Sequence, residues 1–282
     1  MKLAHLILAH TEPKQLERLI DRISHPNADI YIHLDKKSNM KTFEYLKKRE
    51  NVFFITERVK VFWGSYRIVQ ATLNSLREIV ATGKIYHHLN LLSGQDYPLK
   101  TATEIHEFLQ QNIGVAFINH LLFDPEWREA IPRIDSYHFN TFKMPGRYIL
   151  QKYVNKLLPK RSFPNNLIPV GRSQWFTIPS ECVTYVLEYW DRHPEVENFI
   201  KLTWAPDEFV FHTILFNSDY KNIMSSDDLR YIDWSRGGVN PKILNMEDLD
   251  KMLASGKLFA RKFDINKDAA VLDQIDSKRL LK

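Results

Sequence analysis

The sequence predicts an α/β fold in which a mixed, mainly parallel β-sheet is covered by helices on both faces. In the first half of the chain, short apolar runs alternate with amphipathic stretches, which is the pattern of strands joined by crossover helices. The apolar runs do not alternate strictly with polar residues, as expected for strands buried on both faces. A chain of 282 residues with 44% hydrophobic content can bury one large core without disulfides. We therefore expect a single domain over residues 1–282.

The first half of the chain, residues 1–118, carries the regular part of this alternation. Leu16, Leu19, Ile20 and Ile23 recur at the helical period and define the buried face of the first helix. The other elements follow from the same two periods, apolar runs for strands and apolar stripes for helices. In chain order, the predicted elements are strand Lys2–Ala9, helix Pro13–Ser24, strand Asp29–Leu34, a helical stretch at Met40–Arg49, strand Val52–Ile55, helix Tyr66–Ala81, strand Ile85–Leu91, helix Ala102–Gln111 and strand Val115–Ile118.

The second half, residues 119–282, is less regular. Six prolines between residues 119 and 172 break helices and favour loops. The predicted elements there are helix Arg147–Leu158, strand Gln174–Ile178, helix Ser180–Trp190, a helix from near Pro206 to about Leu215, strand Asp228–Ile232, a final helix Met246–Ala254 and the short segment Leu258–Asp264.

Composition excludes several classes of protein. The balance of 39 Lys+Arg against 34 Asp+Glu gives +5, which suits an anionic ligand but is too weak to indicate nucleic acid. Cys182 is the single cysteine, so no internal disulfide forms, as in a reducing cytosol. Apolar runs are far shorter than the roughly 20 residues of a membrane-spanning helix, and polar residues follow Met1 too soon for a signal peptide. We expect a cytoplasmic protein.

Common phosphate and metal motifs are missing from the sequence. It contains no P-loop, Gly-rich dinucleotide fingerprint, nucleophile elbow, CxxC or HExxH. One Asp-x-Asp occurs, Asp248-Leu249-Asp250, a pattern that can hold a divalent cation. On a helix, side chains at i and i+2 diverge by about 200°, so we interpret these carboxylates as a solvated face. No metal or other cofactor is expected.

Ligands of open parallel sheets bind outside the carboxyl ends of the strands. The segments that follow the predicted strands are therefore the first candidates for a site. They are His10-Thr11, Asp35-Lys36, Trp63-Gly64-Ser65 and Ser93-Gly94-Gln95-Asp96.

Two acidic residues, Asp207 and Glu208, follow a proline in an aromatic segment. A helix start explains them, because proline and acidic residues are both favoured in a first turn. The alternative is a catalytic carboxylate, since Trp204, Phe209 and Phe211 flank Glu208 and an apolar setting suits a general base.

Two adjacent cations, Arg261 and Lys262, lie between Phe259 and Phe263. Cations among aromatic residues are costly unless an anion meets them, and a diphosphate would do so. A surface strand with salt bridges to Asp264 is the alternative interpretation.

No acidic residue occurs between Ser136 and Ser180, so the positive charge is concentrated there. A basic amphipathic helix within this patch can lie on an anionic membrane or bind a polyanionic acceptor. The same apolar stripe would also let the helix dock on the core with its lysines solvated. The basic residues are Lys143, Arg147, Lys152, Lys156, Lys160, Arg161 and Arg172, and the stripe is Ile149, Tyr153 and Leu157.

Seven ordered segments resemble the core-2/I-branching N-acetylglucosaminyltransferase and peptide O-xylosyltransferase family, glycosyltransferase family 14. Any one of them is a weak signal, but their order over nearly the whole chain makes the resemblance specific. The segments are Asp29–Asp35, Val61–Ser65, Leu91–Lys100, Gly171–Phe176, Ala205–Thr213, Leu229–Trp234 and Phe259–Phe263.

The resemblance implies a GT-A-type nucleotide-sugar fold and an inverting, metal-independent transfer of a sugar, with GlcNAc expected, from a UDP donor to a hydroxyl of a glycan or lipid-linked glycan. Residues 1–118 would bind the nucleotide, and residues 119–282 would hold the acceptor and the catalytic base. Glu208 matches that base. Arg261 and Lys262 match a basic pair that neutralises the UDP diphosphate, and Lys242 matches a further basic position.

The remaining candidates divide between donor and acceptor. On the donor side we expect His10, Asp35, Trp63, Gly64 and Ser65. On the acceptor side we expect Gln95, Asp96, Trp127, Arg128, Arg133, Trp175, Asp207 and Trp234.

The chain departs from the family pattern in some features, so other donors and another class of protein remain as alternatives. The single cysteine distinguishes the chain from the anchored, cysteine-rich animal members, and it resembles a compact bacterial member. UDP-xylose, UDP-galactose or UDP-glucose are alternative donors, and a non-catalytic polyanion- or membrane-binding module is the alternative class. The expected partners are a UDP-sugar, a glycan acceptor and the anionic inner face of a membrane at residues 143–172, but no nucleic acid.

Overall fold

The computed structural model describes residues 1–142 and 144–280, the last two by backbone alone, and this part of the chain contains ten strands and ten α-helices. The strands are β1 (Leu3–Ala9), β2 (Ala28–Leu34), β3 (Val52–Phe54), β4 (His88–Ser93), β5 (Asp96–Pro98), β6 (Ala116–Leu122), β7 (Val170–Pro179), β8 (Met224–Ser225), β9 (Arg230–Ile232) and β10 (Phe259–Arg261). The helices are α1 (Pro13–Ile23), α2 (Tyr66–Ala81), α3 (Ala102–Gln111), α4 (Ile131–Asp135), α5 (Arg147–Leu157), α6 (Ser180–Arg192), α7 (Pro194–Lys201), α8 (Val210–Phe216), α9 (Leu249–Ala254) and α10 (Ala270–Leu280).

The main sheet has seven strands in the order β3-β2-β1-β4-β7-β6-β8. The strands β3, β2, β1 and β4 are parallel, whereas β7 runs antiparallel to both of its neighbours. Strands from both halves of the chain therefore build one sheet, and its hydrogen bonds join them. The mixed, mainly parallel sheet confirms the predicted fold class.

Both faces of the sheet are covered, because adjacent residues of a strand point to opposite faces. Ala4 and Leu6 of β1 pack into a core with α2, α6 and α8, while Leu3 and Ile7 of the same strand pack with α1 and α3. This double coverage explains the continuous apolar runs of the central strands.

A second, three-stranded sheet in the order β5-β10-β9 was not predicted. Strand β10 pairs antiparallel with β5 and parallel with β9. Leu249 of α9 and Ile275 of α10 pack against it in a separate apolar cluster. Since β5 follows β4 after two residues, the small sheet extends the carboxyl edge of the main sheet.

Several element predictions were wrong in detail. The expected helix at Met40–Arg49 is two short 3₁₀ turns that meet at the buried Phe43. The helix expected from Pro206 is interrupted at Phe209. Helix α7 was missed, and Met246–Ala254 is not the final helix, because α10 follows it. The apolar residues of α10 form only a short stripe among charged residues, so their periodicity is weak.

Candidate active site

A cleft of about 760 Å³ lies at the carboxyl edge of the main sheet. Its floor comes from residues directly after β1, β2 and within the end of β4, namely His10, Asp35 and Ser93. The second half of the chain builds the opposite wall from β7, the turn before α8, and β10. The predicted site residues that line it are His10, Asp35, Trp63, Gln95, Arg133, Trp175, Asp207, Glu208, Trp234, Arg261 and Lys262.

The turn that carries Asp207 and Glu208 is fixed by its backbone. Ala205 adopts a left-handed conformation with φ of 47°, and its amide donates to the carbonyl oxygen of Gly64 at 2.9 Å. Gly171 of β7 packs so closely that a Cβ at this position would lie 2.4 Å from the carbonyl oxygen of Glu208. Only a glycine permits this approach, so β7 sets the position of the turn.

The carboxylate of Glu208 faces a cation rather than an apolar pocket. Arg133 of α4 forms an ion pair with it, with Nη1 2.5 Å from Oε2. Phe209 and Phe211, which flank it in sequence, are buried in the core against Phe123 and Phe176. Of the three aromatic residues expected around Glu208, Phe209 and Phe211 thus lie in the core, whereas Trp204 contacts Arg133, the partner of the carboxylate.

Two indole rings hold the arginine side chain of this ion pair. The guanidinium carbon of Arg133 lies 4.7 Å from the ring centre of Trp127 and 4.6 Å from that of Trp204. Cation–π contact with both rings restricts the orientation of the arginine. Trp127 is buried behind it and shapes the cleft without lining it.

Asp207 is buried beside the ion pair. Among the described residues its Oδ1 has no hydrogen-bond partner. Burial and the charge of Glu208 raise the pKa of Asp207 to about 7. One of the two adjacent acids therefore ionises only near neutral pH.

The other end of the cleft is cationic. Arg261 is buried, with its guanidinium 4.0 Å over the ring of Trp175 and its Nε 3.5 Å from Oδ1 of Asp96. Burial raises the pKa of Asp96 and lowers that of Arg261. Asp96 is fully buried and does not line the cleft, so it lies beside the arginine rather than at the surface an acceptor could reach.

Lys262 lies next to this pair and is half-buried. Within the described part of the chain, its ammonium group has no ion-pair or hydrogen-bond partner. Burial and the adjacent Arg261 lower its pKa. The charge of Lys262 in turn contributes to a lowered pKa of His10, for which burial is the main cause. An unpaired cation of this kind is a ready site for an anionic group.

Three predicted donor residues, Trp63, Gly64 and Ser65, lie directly before α2. Ser65 is fully buried and caps α2 by accepting a hydrogen bond from the amide of Arg67 at 3.2 Å. At Gly64, with φ of 65°, a Cβ would lie 2.8 Å from Nε1 of Trp204. Trp63 is exposed at the cleft and contacts Trp204 edge to face. Of the three, Trp63 is the one that lines the cleft.

Lys242, which was expected to bind the donor, forms an ion pair within the protein. Its ammonium lies 2.6 Å from Oδ1 of Asp248, which raises the pKa of Lys242. Asp248 is buried and caps its own turn through Asn245, while Asp250 is exposed and pairs with Lys278 at 3.5 Å. The two carboxylates have separate partners, and the reading of Asp248 as solvated was wrong.

The remaining acceptor candidates occupy different surroundings. Gln95 and the exposed Trp234 line the cleft. Arg128 does not, because it is exposed and pairs with Asp124, four residues earlier in the chain, at 2.9 Å. Within residues 1–142 and 144–280, no group of three or more His, Cys, Asp or Glu side chains is arranged to hold a metal ion.

Sequence reasoning missed Arg230, a buried arginine at the base of the cleft. Its guanidinium donates to Oδ1 of Asn90 and to the carbonyl oxygen of Leu91 at 2.7 Å. Burial lowers its pKa to about 10. Arg230 thus ties β9 to β4 and fixes the small sheet against the main one. Its position inside the predicted strand Asp228–Ile232 is the one signal in the sequence for its burial.

An α/β domain with carboxylates and an unpaired cation in one cleft at the carboxyl edge of its sheet has the layout of an enzyme that binds an anionic substrate. A family model described as Core-2/I-Branching enzyme matches residues 3–254. The chain therefore belongs to the Core-2/I-branching enzyme family, as its ordered segments predicted.

Named relatives agree with this assignment. The chain is 24% identical to xylosyltransferase 1 of Rattus norvegicus over 309 residues, which cover 98% of the chain and 35% of that protein. It is 28% identical to the beta-glucuronosyltransferase GlcAT14B of Arabidopsis thaliana over 304 residues, which cover 100% of the chain and 67% of that protein. The chain thus spans about a third of the length of the rat enzyme.

Among solved structures, mouse xyloside xylosyltransferase 1 in its apo form is similar, with a TM-score of 0.42, 10% identity and coverage of 92% of this chain and 97% of that one. No helix in the described residues is both long and apolar enough to cross a membrane.

Proposed function

We propose that this protein is a glycosyltransferase that moves a sugar, with inversion, from a UDP-sugar to a hydroxyl of a glycan or lipid-linked glycan. The observation that carries the proposal is the placement of Glu208 and the cations Arg261 and Lys262 in one cleft. The two groups are close enough for the charge of Glu208 to act on Arg261. Membership of the family supports the same reaction class.

In this proposal Glu208 is the general base. It accepts the proton of the acceptor hydroxyl while the oxygen forms a bond to the anomeric carbon, on the face opposite UDP. The bond from that carbon to the diphosphate oxygen breaks, and its electron pair leaves with UDP. Arg133 holds the Glu208 carboxylate in one orientation through their ion pair, which fixes the direction of the proton transfer.

Arg261 and Lys262 stabilise the leaving diphosphate in this mechanism. Negative charge grows on UDP as the bond to the sugar breaks, and preorganised cations meet it without reorganisation. Loss of one such group costs roughly 10² to 10³ in kcat. We propose that these side chains replace the divalent cation that other sugar transferases hold through paired carboxylates. The separate partners of Asp248 and Asp250 support this.

The proposal also concerns which sugar the UDP donor carries. We propose GlcNAc on the resemblance of the ordered segments. The names of the relatives, xylosyltransferase and beta-glucuronosyltransferase, favour UDP-xylose and UDP-glucuronate as the donors to compare with it.

Calorimetry with UDP, UDP-GlcNAc, UDP-xylose and UDP-glucuronate tests the proposal, followed by UDP release with a panel of glycan acceptors. We expect UDP to bind equally well with and without EDTA, and one donor to turn over. Absence of UDP binding would refute the donor site, and binding without turnover of any donor would favour a binding module. Activity that EDTA abolishes and Mn²⁺ restores would refute metal independence.

A further inference from the structure

Helix α5 leaves its apolar stripe in solvent. None of its eleven residues, all of them described, is buried. Ile149, Tyr153 and Leu157 lie one above another at a spacing of four residues and are 66%, 60% and 78% exposed. A surface helix of a globular protein normally turns such a stripe toward the core. The alternative of a helix docked through its apolar face is therefore wrong.

The helix attaches to the protein through polar side chains instead. Gln151 accepts a hydrogen bond from the amide of Phe139 at 3.0 Å. Asn155 accepts one from the amide of Tyr137 at 2.7 Å and donates one to the carbonyl oxygen of the same residue at 2.8 Å. The helix is thus held through Gln151 and Asn155, and its apolar stripe faces away from the protein.

The chain that follows α5 is also attached to the rest of the protein, through Arg161. The amide of Arg161 donates to the carbonyl oxygen of Asp135 at 2.9 Å. The Arg161 guanidinium donates to the carbonyl oxygens of Ser136 at 3.0 Å and Leu202 at 2.6 Å. Arg161, four residues after the end of α5, is thus tied to the residues directly after α4, the helix that carries Arg133 into the cleft.

Charge along the helix is of one sign. Lys152 and Lys156 border the apolar stripe on one side and are exposed. No Asp or Glu occurs between Ser136 and Ser180, and the preceding acid, Asp135, is paired with Lys160 at 2.5 Å. Lys143 belongs to the predicted basic patch but lies outside the described residues. A partner for the exposed face of α5 must therefore offer both negatively charged groups, for the lysines, and an apolar region, for the stripe.

We propose that α5 is a membrane-docking helix that lies in the surface of a bilayer containing anionic lipid. Ile149, Tyr153 and Leu157 enter the boundary between headgroups and acyl chains, and Lys152 and Lys156 contact the headgroup phosphates. A soluble polyanion would match the lysines but leave the apolar stripe in water. A second copy of this helix would bring no negative charge, because no Asp or Glu occurs between Ser136 and Ser180. Docking at this helix brings the acceptor side of the cleft, through α4, to the membrane surface.

Co-sedimentation of the full chain with lipid vesicles tests the proposal independently of transferase activity. Vesicles of phosphatidylcholine alone are compared with vesicles that also contain phosphatidylglycerol. We expect binding to be at least about tenfold tighter with the anionic lipid, because each lysine near the surface contributes about a fivefold increase in affinity. Binding should weaken as salt is raised, since salt screens these charges.

Two pairs of variants assign the binding to α5. Ile149→Ser with Leu157→Ser should abolish sedimentation with the vesicles, whereas Ile85→Ser with Ile113→Ser, at exposed apolar residues elsewhere, should not. Lys152→Glu with Lys156→Glu should reduce binding to anionic vesicles by roughly 25-fold or more. Lys48→Glu with Lys267→Glu, at exposed lysines outside α5, should leave it unchanged.

Several results would overturn the proposal. They are no binding to anionic vesicles at low salt by a protein that is folded by circular dichroism, equal binding to both vesicle types, and equal losses in the control variants. A dimer in analytical ultracentrifugation that Ile149→Ser with Leu157→Ser dissociates would assign the stripe to a second copy of the chain instead.

Discussion

Arg133 donates to the carboxylate of Glu208 across 75 residues of sequence, and this ion pair defines the acidic end of the cleft. Trp127 and Trp204 both contact the guanidinium, and the ion pair with this restricted arginine orients the carboxylate. In the proposed reaction that direction is toward the acceptor hydroxyl, which links a packing feature of the fold to the transfer of a proton.

Glu208→Gln should separate chemistry from binding. The amide keeps the size of the side chain but cannot accept the proton, so we expect kcat to fall by at least about 10²-fold while the Kd for UDP is unchanged. Turnover and calorimetry measure the two quantities. Asp250→Asn, at an exposed carboxylate outside the cleft, is the control and should retain full activity. Full transfer by Glu208→Gln would remove Glu208 from the mechanism.

Lys262→Met should weaken the binding of UDP through its phosphates. The methionine keeps the apolar stem and removes the charge, and a hydrogen bond to a charged group contributes about 1.5 to 3 kcal/mol, or roughly 10- to 100-fold in affinity. Calorimetry should show that loss for UDP and no change for uridine. Lys267→Met, at an exposed lysine five positions later, should bind both ligands normally. An equal loss for uridine would show that Lys262 acts on the fold rather than on the diphosphate.

Gly171→Ala should disturb the turn that carries Glu208. The new methyl group would lie 2.4 Å from the Glu208 carbonyl oxygen and 2.4 Å from the Cβ of Phe209, and overpacking of this kind costs about 1 to 3 kcal/mol. We expect a lower Tm in thermal unfolding and a reduced kcat. Gly94→Ala is the control, since its nearest neighbour, the Cβ of Ala9, is at 3.4 Å. An unchanged Tm and kcat in Gly171→Ala would contradict the assigned role of Gly171.

Asp207→Asn should stabilise the protein more at pH 8 than at pH 5. Burial and the charge of Glu208 raise the pKa of Asp207 to about 7 in the folded state, above the value of about 3.9 for an unfolded chain. The folded state therefore binds the proton more tightly, and its advantage is lost as the pH rises from the unfolded pKa to the folded one. The neutral asparagine avoids this loss.

The measurement for Asp207 is the Tm of the variant minus that of the wild type at each pH. Other titrating groups are common to both proteins and cancel in this difference. A gain at pH 8 that exceeds the gain at pH 5 by about 2 °C or more is expected, and equal differences at both pH values would show that the acid is ionised throughout.

The local sequence pattern was sufficient to predict the bounds of helices that bury a clear apolar stripe. Helices Tyr66–Ala81 and Ala102–Gln111 begin and end where the sequence predicts, because a capping residue and an apolar period agree at each. The helix at Arg147 was also predicted, but the period could not show which way its apolar stripe faces. The side chains that turn it outward, Gln151 and Asn155, do so through backbone groups at 137 and 139.

Sequence patterns were sufficient for the α/β class, the family and the identity of the three charged groups that carry the proposed chemistry, Glu208, Arg261 and Lys262. Motifs and hydrophobic periods are formed by residues that are close in the sequence, so they can be recognised without the folded structure. The partners of those groups depend on the folded structure. They are Arg133 for Glu208, Asp96 and Trp175 for Arg261, and, within the described residues, none for Lys262. These contacts join distant segments across the sheet, so no local pattern encodes them, and they determine which charge is held in place and which is free for a ligand.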